Sequence, residues 1–237
     1  MVRILVIADS HLRPDKPATE MWEALGRYCL KTRPAYIVHL GDVADFDSQA
    51  WLIKNRGKYS LEEEISQVRS CLEAFHKPLN EFNDIQRVMK KKMYRPACVL
   101  TLGNHDVRNN MTDVVDLFES FNWLVVDYLH PVQIDGVTFV HCMSKGLSDN
   151  FCTTAQELIE NWHGNIVVGH GHHKDFFESY SMATNDKITA LRSPAFTTDD
   201  SEWAVQTQYK WSRGFTEITT NPFSFIWRDC ECLLKNS

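Results

Sequence analysis

The chain has no run of about 18 apolar residues, the length a membrane-spanning helix needs. It has no C-x-x-C pair, Cys230 and Cys232 being the nearest to one. Its seven cysteines are odd in number, so they cannot all pair internally. They read as reduced thiols of a cytoplasmic protein, with Cys29, Cys71 and Cys98 on apolar faces. Positive charge is not in excess: 25 Lys and Arg stand against 31 Asp and Glu, a net charge of −6. That excludes a global basic field for nucleic acid, so any such contact must come from a local patch. Repeats, low-complexity tracts and an obvious linker are also missing. The opening "MVRILVIADS" has one Arg, a short apolar run and no small-residue cleavage site, so it reads as a first strand and not a signal peptide.

What is present is an ordinary globular balance, 43% hydrophobic and 24% charged over 237 residues, enough for one large domain spanning 1–237. Residues 2–8 form a continuous apolar run, as in a strand buried on both faces. Over 18–31, Met21, Trp22, Leu25, Tyr28 and Cys29 recur at helical spacing, and Arg33-Pro34 ends the pattern. Residues 35–40 are a second strand, which completes a β–α–β unit with a parallel pair. From Leu61 an amphipathic helix follows Ser60, a good N-cap, with Glu62 to Glu64 at the positive end of the helix dipole. Pro78 is expected to kink or interrupt it, with a second helical piece over about 80–93. This mostly helical insertion, about 46–95, is expected to cap or flank the site. A strand over 97–102 and a short helix over 111–121 come next. Later strands are expected near 131–134, 137–141, 165–168, 176–181, 187–192 and 223–227. Alternating α and β in the first half, with more β in the second, predicts sheets packed together with helices outside.

Polar side chains gather where these strands end. They are Asp9 and His11 after the first strand, Asp42 after the second, and Asn104, His105 and Asp106 after the third. His141 ends a later strand, and His170, His172 and His173 end another. In open α/β sheets the carboxyl edge is where sites are built. Converging carboxylates and imidazoles repel or stay unsatisfied unless a cation joins them, and Asp, His and an Asn carbonyl suit Mn, Fe, Zn or Co. In an extended run, residues i and i+2 share a side, so Asp9 and His11 can chelate together, as can His170 and His172. Asp42 has two oxygens and can bridge two ions. His39 lies inside its strand and reads as a packing histidine.

The ordered set Asp9-x-His11, Gly41-Asp42-x-x-Asp45, Gly103-Asn104-His105-Asp106, His141 and Gly169-His170-x-His172 resembles the calcineurin-like metallophosphoesterase superfamily over residues 9–172. The resemblance implies a four-layer α-β-β-α sandwich of two mixed β-sheets flanked by helices. It implies two divalent ions, Mn²⁺ first, with Fe, Zn, Co or Ni as substitutes. Asp9, His11 and His172 would hold one ion, and Asn104, His141 and His170 the other, with Asp42 bridging. His105 would act on the phosphate, and Asp106 would orient its ring; Asp45 would brace the Asp42 loop. The "DSHL" and "GNHD" spellings are similar to the branch of nucleases, phosphodiesterases and small phage or bacterial phosphoesterases, and unlike the protein phosphatases with their G-N-H-E block. The implied activity is phosphodiester hydrolysis on DNA, RNA or a nucleotide by metal-activated hydroxide attack, in the cytoplasm (the host's for a phage-encoded chain). The alternatives are a phosphomonoesterase and, in another class, a non-catalytic scaffold.

Arg13 and Arg108 lie just past two motifs and are candidates to bind substrate phosphate. Arg87, Lys90, Lys91, Lys92 and Arg95 form a basic cluster, read first as cations at a helix C-terminus and second as a phosphate-tracking patch. Trp203, Tyr209 and Trp211 could stack bases, packing of the second sheet being the plainer expectation.

Overall fold

The computed structural model describes residues 1–50, 58–108, 112–146, 150–182, 184–197 and 211–235. The first apolar run forms β1 (Arg3–Ile7), and its two faces enter different cores. Successive side chains of a strand point to opposite faces. Leu5 and Ile7 therefore join one cluster, while Ile4 and Val6 join another. β1 pairs in parallel with β2 (Tyr36–His39), which continues through β3 (Ala97–Thr101) to β4 (Trp123–Val126). On the other side of β1, β10 (Phe215–Thr219) and β11 (Ser224–Arg228) extend the sheet antiparallel. The second sheet has the order β5 (Val132–Ile134), β6 (Val137–Val140), β7 (Asn165–Val168), β9 (Lys187–Arg192), β8 (Asp175–Tyr180). Its central pairs β6–β7 and β7–β9 are parallel and its outer pairs antiparallel.

Three apolar clusters define four layers. Leu5, Ile7, Ile37 and Leu100 meet α1 (Thr19–Thr32), α2 (Leu61–Val88) and α3 (Asp113–Ser120). Ile4, Val6, Val38 and Val99 meet Val137, Phe139, Val167 and Leu191 of the second sheet. Val140, Ile166, Val168 and Ala190 meet α4 (Ala155–Trp162). Each such side chain, taken wholly from water, contributes roughly 1.5–3 kcal/mol. The layers are thus helix, mixed sheet, mixed sheet, helix. All seven cysteines are free, and six of them are buried. Among the described residues no helix is long and apolar enough to cross a membrane.

The insertion departs from expectation. Pro78 does not break the helix: α2 runs unbroken for 28 residues with Pro78 buried inside it. The proline ring faces α1 at Gly26, where a Cβ would lie 2.7 Å from Pro78 Cγ and overlap the Phe75 carbonyl. A glycine there lets the two helices approach and takes up the ring. α2 flanks the first sheet beside α1 and does not cap the site. Only its N-terminal turn reaches that end, where Glu64 accepts the N–H of Asp47 at 2.7 Å and the hydroxyl of Ser48 at 2.5 Å. A capping box on Ser60 and Glu63 starts the helix. Lys90, Lys91 and Lys92 lie past its end and are exposed. They sit at the amino edge of the sheet, where Tyr94 donates its hydroxyl to the Pro34 carbonyl at 2.8 Å, just before β2. Twenty-eight residues at about 1.5 Å each put that basic end roughly 40 Å from the turn that touches the site. At that distance the cluster is no part of the ligand groups.

β4, β10 and α4 were not expected from the sequence. β4 is only four residues long and β10 is less than half apolar, and they are strands because β3 and β1 offer them free edges. α4 carries its own start signal, a capping box on Thr154 and Glu157.

One core histidine makes a pH prediction. His76 of α2 accepts the indole N–H of Trp123 at 3.0 Å and stacks on Phe121, and burial pushes its pKa down to about 4. In the unfolded chain a His titrates near 6.5. The unfolded state therefore binds more protons between those values, and this contribution to stability is complete above pH 6.5 and lost as pH falls toward 4. His76→Gln keeps an acceptor for Trp123 without a titrating group. The stability difference between parent and variant in urea unfolding should shift against the parent from pH 6.5 to 4; a pH-independent difference would show that His76 is not held neutral.

Candidate metal centre

Seven side chains converge at the carboxyl edge of both sheets. Asp9 and His11 follow β1, Asp42 follows β2, Asn104 follows β3, His141 follows β6, and His170 and His172 follow β7. The loops are tied to one another through the backbone: Asp9 N–H donates to Gly41 O at 3.0 Å, His11 N–H to Asp42 O at 3.1 Å, and Gly169 N–H to His141 O at 3.0 Å. Five of the seven residues, Asp9, His11, Asp42, His170 and His172, have φ between 44° and 62°. Left-handed backbone at a residue with a Cβ costs about 1–2 kcal/mol. Such strain persists only where its surroundings over-determine it, and it collects at functional sites.

The ligand atoms fall into two groups that share Asp42. Asp9, His11, Asp42 and His172 place one such atom each within 4.8 Å of the others, and so do Asp42, His141 and His170. Asn104 joins the second group, with Oδ1 3.0 Å from His141 Nε2. Tautomers follow from the outer partners. His141 Nδ1 faces the Leu40 carbonyl at 2.5 Å and must donate, so the neutral ring presents a lone pair at Nε2. That lone pair faces Asn104 Oδ1, Asp42 Oδ2 at 3.4 Å and His170 Nδ1 at 3.2 Å. In the same way His11 Nδ1 donates to Asp45 Oδ1 at 2.8 Å, and its Nε2 lies 3.0 Å from His172 Nε2. Asp9 Oδ2 is buried with no hydrogen-bond partner. Ligand-type oxygen and nitrogen atoms thus face one another in both groups. A buried acceptor without a donor, as Asp9 Oδ2 is, carries a penalty of about 1–3 kcal/mol, more when charged, and a divalent cation would remove it. The residues fit two such ions, and the mixed oxygen and nitrogen donors fit the borderline transition metals.

Without an ion, protons take up part of the charge. Burial disfavours the His11 imidazolium, but the hydrogen bond and charge of Asp45, with Asp42 and Asp9 behind, draw its pKa up to about 9. Burial likewise opposes ionisation of Asp42, yet His141, His105, His11 and the N–H of His105 hold it well below the carboxylate range. Ion binding must displace such protons.

Asp106 is not the group that orients His105. Its carboxylate accepts three backbone N–H groups, from Gly103 and Asp42 at 2.8 Å and from Val43 at 3.0 Å. The loops after β2 and β3 are therefore bonded through it. Burial and the adjoining Asp42 charge still push its pKa up to about 6. His105 is oriented from Asp45 instead, whose carbonyl accepts its Nδ1–H at 2.9 Å. Its Nε2 then accepts from Arg108 at 3.1 Å, and burial lowers its pKa to about 4. Arg108 also donates to the Asp45 carbonyl at 2.6 Å. A third cluster, His11, Asp45 and His105, is accounted for by these hydrogen bonds.

Arg13 is 4% exposed and turned to Asp15 at 3.2 Å and Asp45 at 3.8 Å, so it braces Asp45 and presents no open guanidinium. His39 is a packing residue: its Nε2 bonds the Ser10 hydroxyl at 2.7 Å, and burial drops its pKa to about 3. Trp211 packs on two of the candidate ligands. Its ring centre lies 4.2 Å from that of His172 and 6.0 Å from that of His11, at the rim of the first group. Trp203 and Tyr209 lie outside the described residues. No motif marks Trp211 or Arg192, and the motif that holds Asp45 does not reveal that its carbonyl takes His105, although Arg192, like the candidate ligands, is a polar residue at the end of a strand.

A protein-family model described as calcineurin-like phosphoesterase matches residues 2–213. No curated protein sequence matches the chain. Among solved structures, nuclease MPE of Pseudomonas putida is 17% identical, with 94% of this chain and 87% of that one covered at a TM-score of 0.39. Vps29 of Chaetomium thermophilum is 9% identical, with 96% of each chain covered at a TM-score of 0.47. TT1561 of Thermus thermophilus is 12% identical, with 82% and 89% covered at a TM-score of 0.33.

Asp42 is common to both ligand groups, whereas His11 belongs to the first. Asp42→Asn is expected to abolish tight binding of both ions, and His11→Ala to weaken one, as read by calorimetry with Mn²⁺. Two ions bound as tightly by Asp42→Asn as by the parent would remove the bridge.

Proposed function

The chain belongs to the calcineurin-like phosphoesterase family, and we propose that it hydrolyses phosphodiesters of nucleic acid or a nucleotide with two divalent ions, Mn²⁺ first. Asp9, His11, Asp42 and His172 hold one ion in this reading, and Asp42, Asn104, His141 and His170 the other. The observation that carries it is the pair of buried carboxylate and imidazole groups sharing Asp42, including the orphaned Asp9 Oδ2. The same observation weighs against a non-catalytic scaffold, which has no use for two ligand groups built on one shared carboxylate. When bound, the ions supply Lewis-acid charge to the phosphoryl oxygens and acidify a water.

The protein groups supply orientation and charge. Asp45 and the Leu40 carbonyl lock His11 and His141 in the tautomers that offer Nε2. Arg108 and His105 form a hydrogen-bonded pair beside the Asp42 turn, with Arg108 the donor. Arg108 is suited to bind a phosphoryl oxygen, which frees His105 Nε2 from its contact. A phosphate charge close by raises the pKa of that ring, so His105 can then carry a proton to the leaving oxygen. The nucleotide reading is favoured by Trp211, an aromatic surface at the rim suited to a base. Beyond it a groove of about 490 Å³ is lined by Trp211, Arg213, Asp229 and Lys235.

A substrate panel with Mn²⁺ tests this: bis-p-nitrophenyl phosphate, p-nitrophenyl phosphate, single-stranded DNA and cyclic nucleotides. Diester cleavage that vanishes in EDTA and returns with Mn²⁺ is expected, and Trp211→Ala should raise KM for base-containing substrates only. Preference for the monoester would favour the phosphomonoesterase; full activity after EDTA would sink both.

His105→Ala should keep two ions yet lower kcat by roughly 10²–10⁴, the usual worth of a general acid. The loss should shrink for nitrophenolate, which leaves without a proton. Loss of an ion in this variant would make His105 a ligand, and equal losses for good and poor leaving groups would remove the acid.

A further inference from the structure

The two ligands His170 and His172 come from one tight turn, yet they serve different groups. Both are left-handed, at φ 62° and 55°, and Gly171 N–H closes the turn onto the Gly169 carbonyl at 2.7 Å. Nothing in a turn of three residues forces two strained imidazoles apart, so the restraint must come from outside it. Beneath the turn lies Arg192, the last residue of β9, 4% exposed. Its Nη1 donates to the Thr153 carbonyl, just before α4, and to His173 Nε2 at 2.9 Å. His173 in turn donates Nδ1–H to the Gly171 carbonyl. The guanidinium fills the space a side chain at 171 would need: a Cβ on Gly171 would overlap both its Cζ and its Nη2. That is why the second ligand block reads Gly-His-Gly-His-His, with nothing larger between the two ligands.

We propose that Arg192 and His173 are positioning residues, a clamp that seats the 169–172 turn and so presents His170 and His172 to separate ions. The chain of contacts runs from the Thr153 carbonyl through the guanidinium to the His173 ring and the Gly171 carbonyl. Neither residue touches an ion or substrate. The proposal rests on the two-metal reading above, and it assigns the reach of the turn to β9 and the loop before α4.

The test is calorimetric Mn²⁺ binding to the full chain, which needs no substrate. Arg192→Met should weaken Mn²⁺ at both sites by about 10–100-fold, the usual effect of losing a group that orients a ligand. His173→Ala should weaken it as well, and His173→Gln, which keeps an acceptor for the guanidinium and a donor for the carbonyl, should recover most of the loss. Gly171→Ala should weaken binding in the parent but add little in Arg192→Met, because the overlap is with the guanidinium; a purely structural role would move melting temperature without this coupling. Parental affinity in folded Arg192→Met, or an equal Gly171→Ala loss in both backgrounds, would overturn the clamp. Should Arg192→Met fail to fold, His173→Ala decides alone, and parental affinity there overturns it. If the parent binds no Mn²⁺, the two-metal reading falls and the clamp with it; binding by the parent with unaltered variants removes the clamp only.

Discussion

The Asp106 carboxylate, sunk between the turns after β2 and β3, is the point on which the site hangs. It takes the N–H groups of Gly103, Asp42 and Val43. Hydrogen bonds to an ionised acceptor are shorter and roughly twice as strong as neutral ones. Three of them hold Asp42 in its left-handed turn, and the N–H of His105 then fixes Asp42 Oδ1 at 2.8 Å. With Oδ1 so engaged, Oδ2 is the atom turned to His141. The shared position of Asp42 between the two ligand groups is thus set by backbone donors, before any ion arrives.

The rest of the site depends on two sheets keeping their distance. The first sheet supplies Asp9, His11, Asp42 and Asn104; the second supplies His141, His170 and His172. Each ligand group draws on both. The seam is held by the inner core, Val6, Val38 and Val99 against Phe139, Val167 and Leu191. Interiors are packed as densely as organic crystals, so a small shift in that core would be transmitted to the ligands. The stability of the inter-sheet core and the geometry of the candidate metal centre are one property.

A cluster of this kind is unfavourable in an empty protein. Five left-handed residues, an orphaned carboxylate oxygen and carboxylates buried side by side all oppose folding. Asp45 shows how the chain manages them: its carboxylate holds His11, its carbonyl takes His105 and Arg108, and Arg13 lies behind it. One residue outside the ligand set thereby orders the nearer histidine, the phosphate-side histidine and an arginine together.

The sequence by itself determined the candidate ligand types, their order along the chain and the layered fold, because strand ends are local events. A continuous apolar run, a glycine and a polar residue can be read along the chain, and the parallel β–α–β rule then brings the carboxyl ends to one edge. It could not tell that Pro78 would ride inside α2, since the room for its ring is made by Gly26, 52 positions earlier. It could not tell which carboxylate orients which histidine: Asp106 is adjacent to His105 in the chain, but that carboxylate is occupied by backbone N–H groups while Asp45, 60 residues away, takes the ring. Nor could it place Trp211 on the ligands or Arg192 under Gly171, because neither is part of a spaced pattern. Spacing along a strand sets which side chains share a face; which hydrogen-bond acceptor meets which donor is set by loops from different strands, and only the packed tertiary structure brings those within 3 Å.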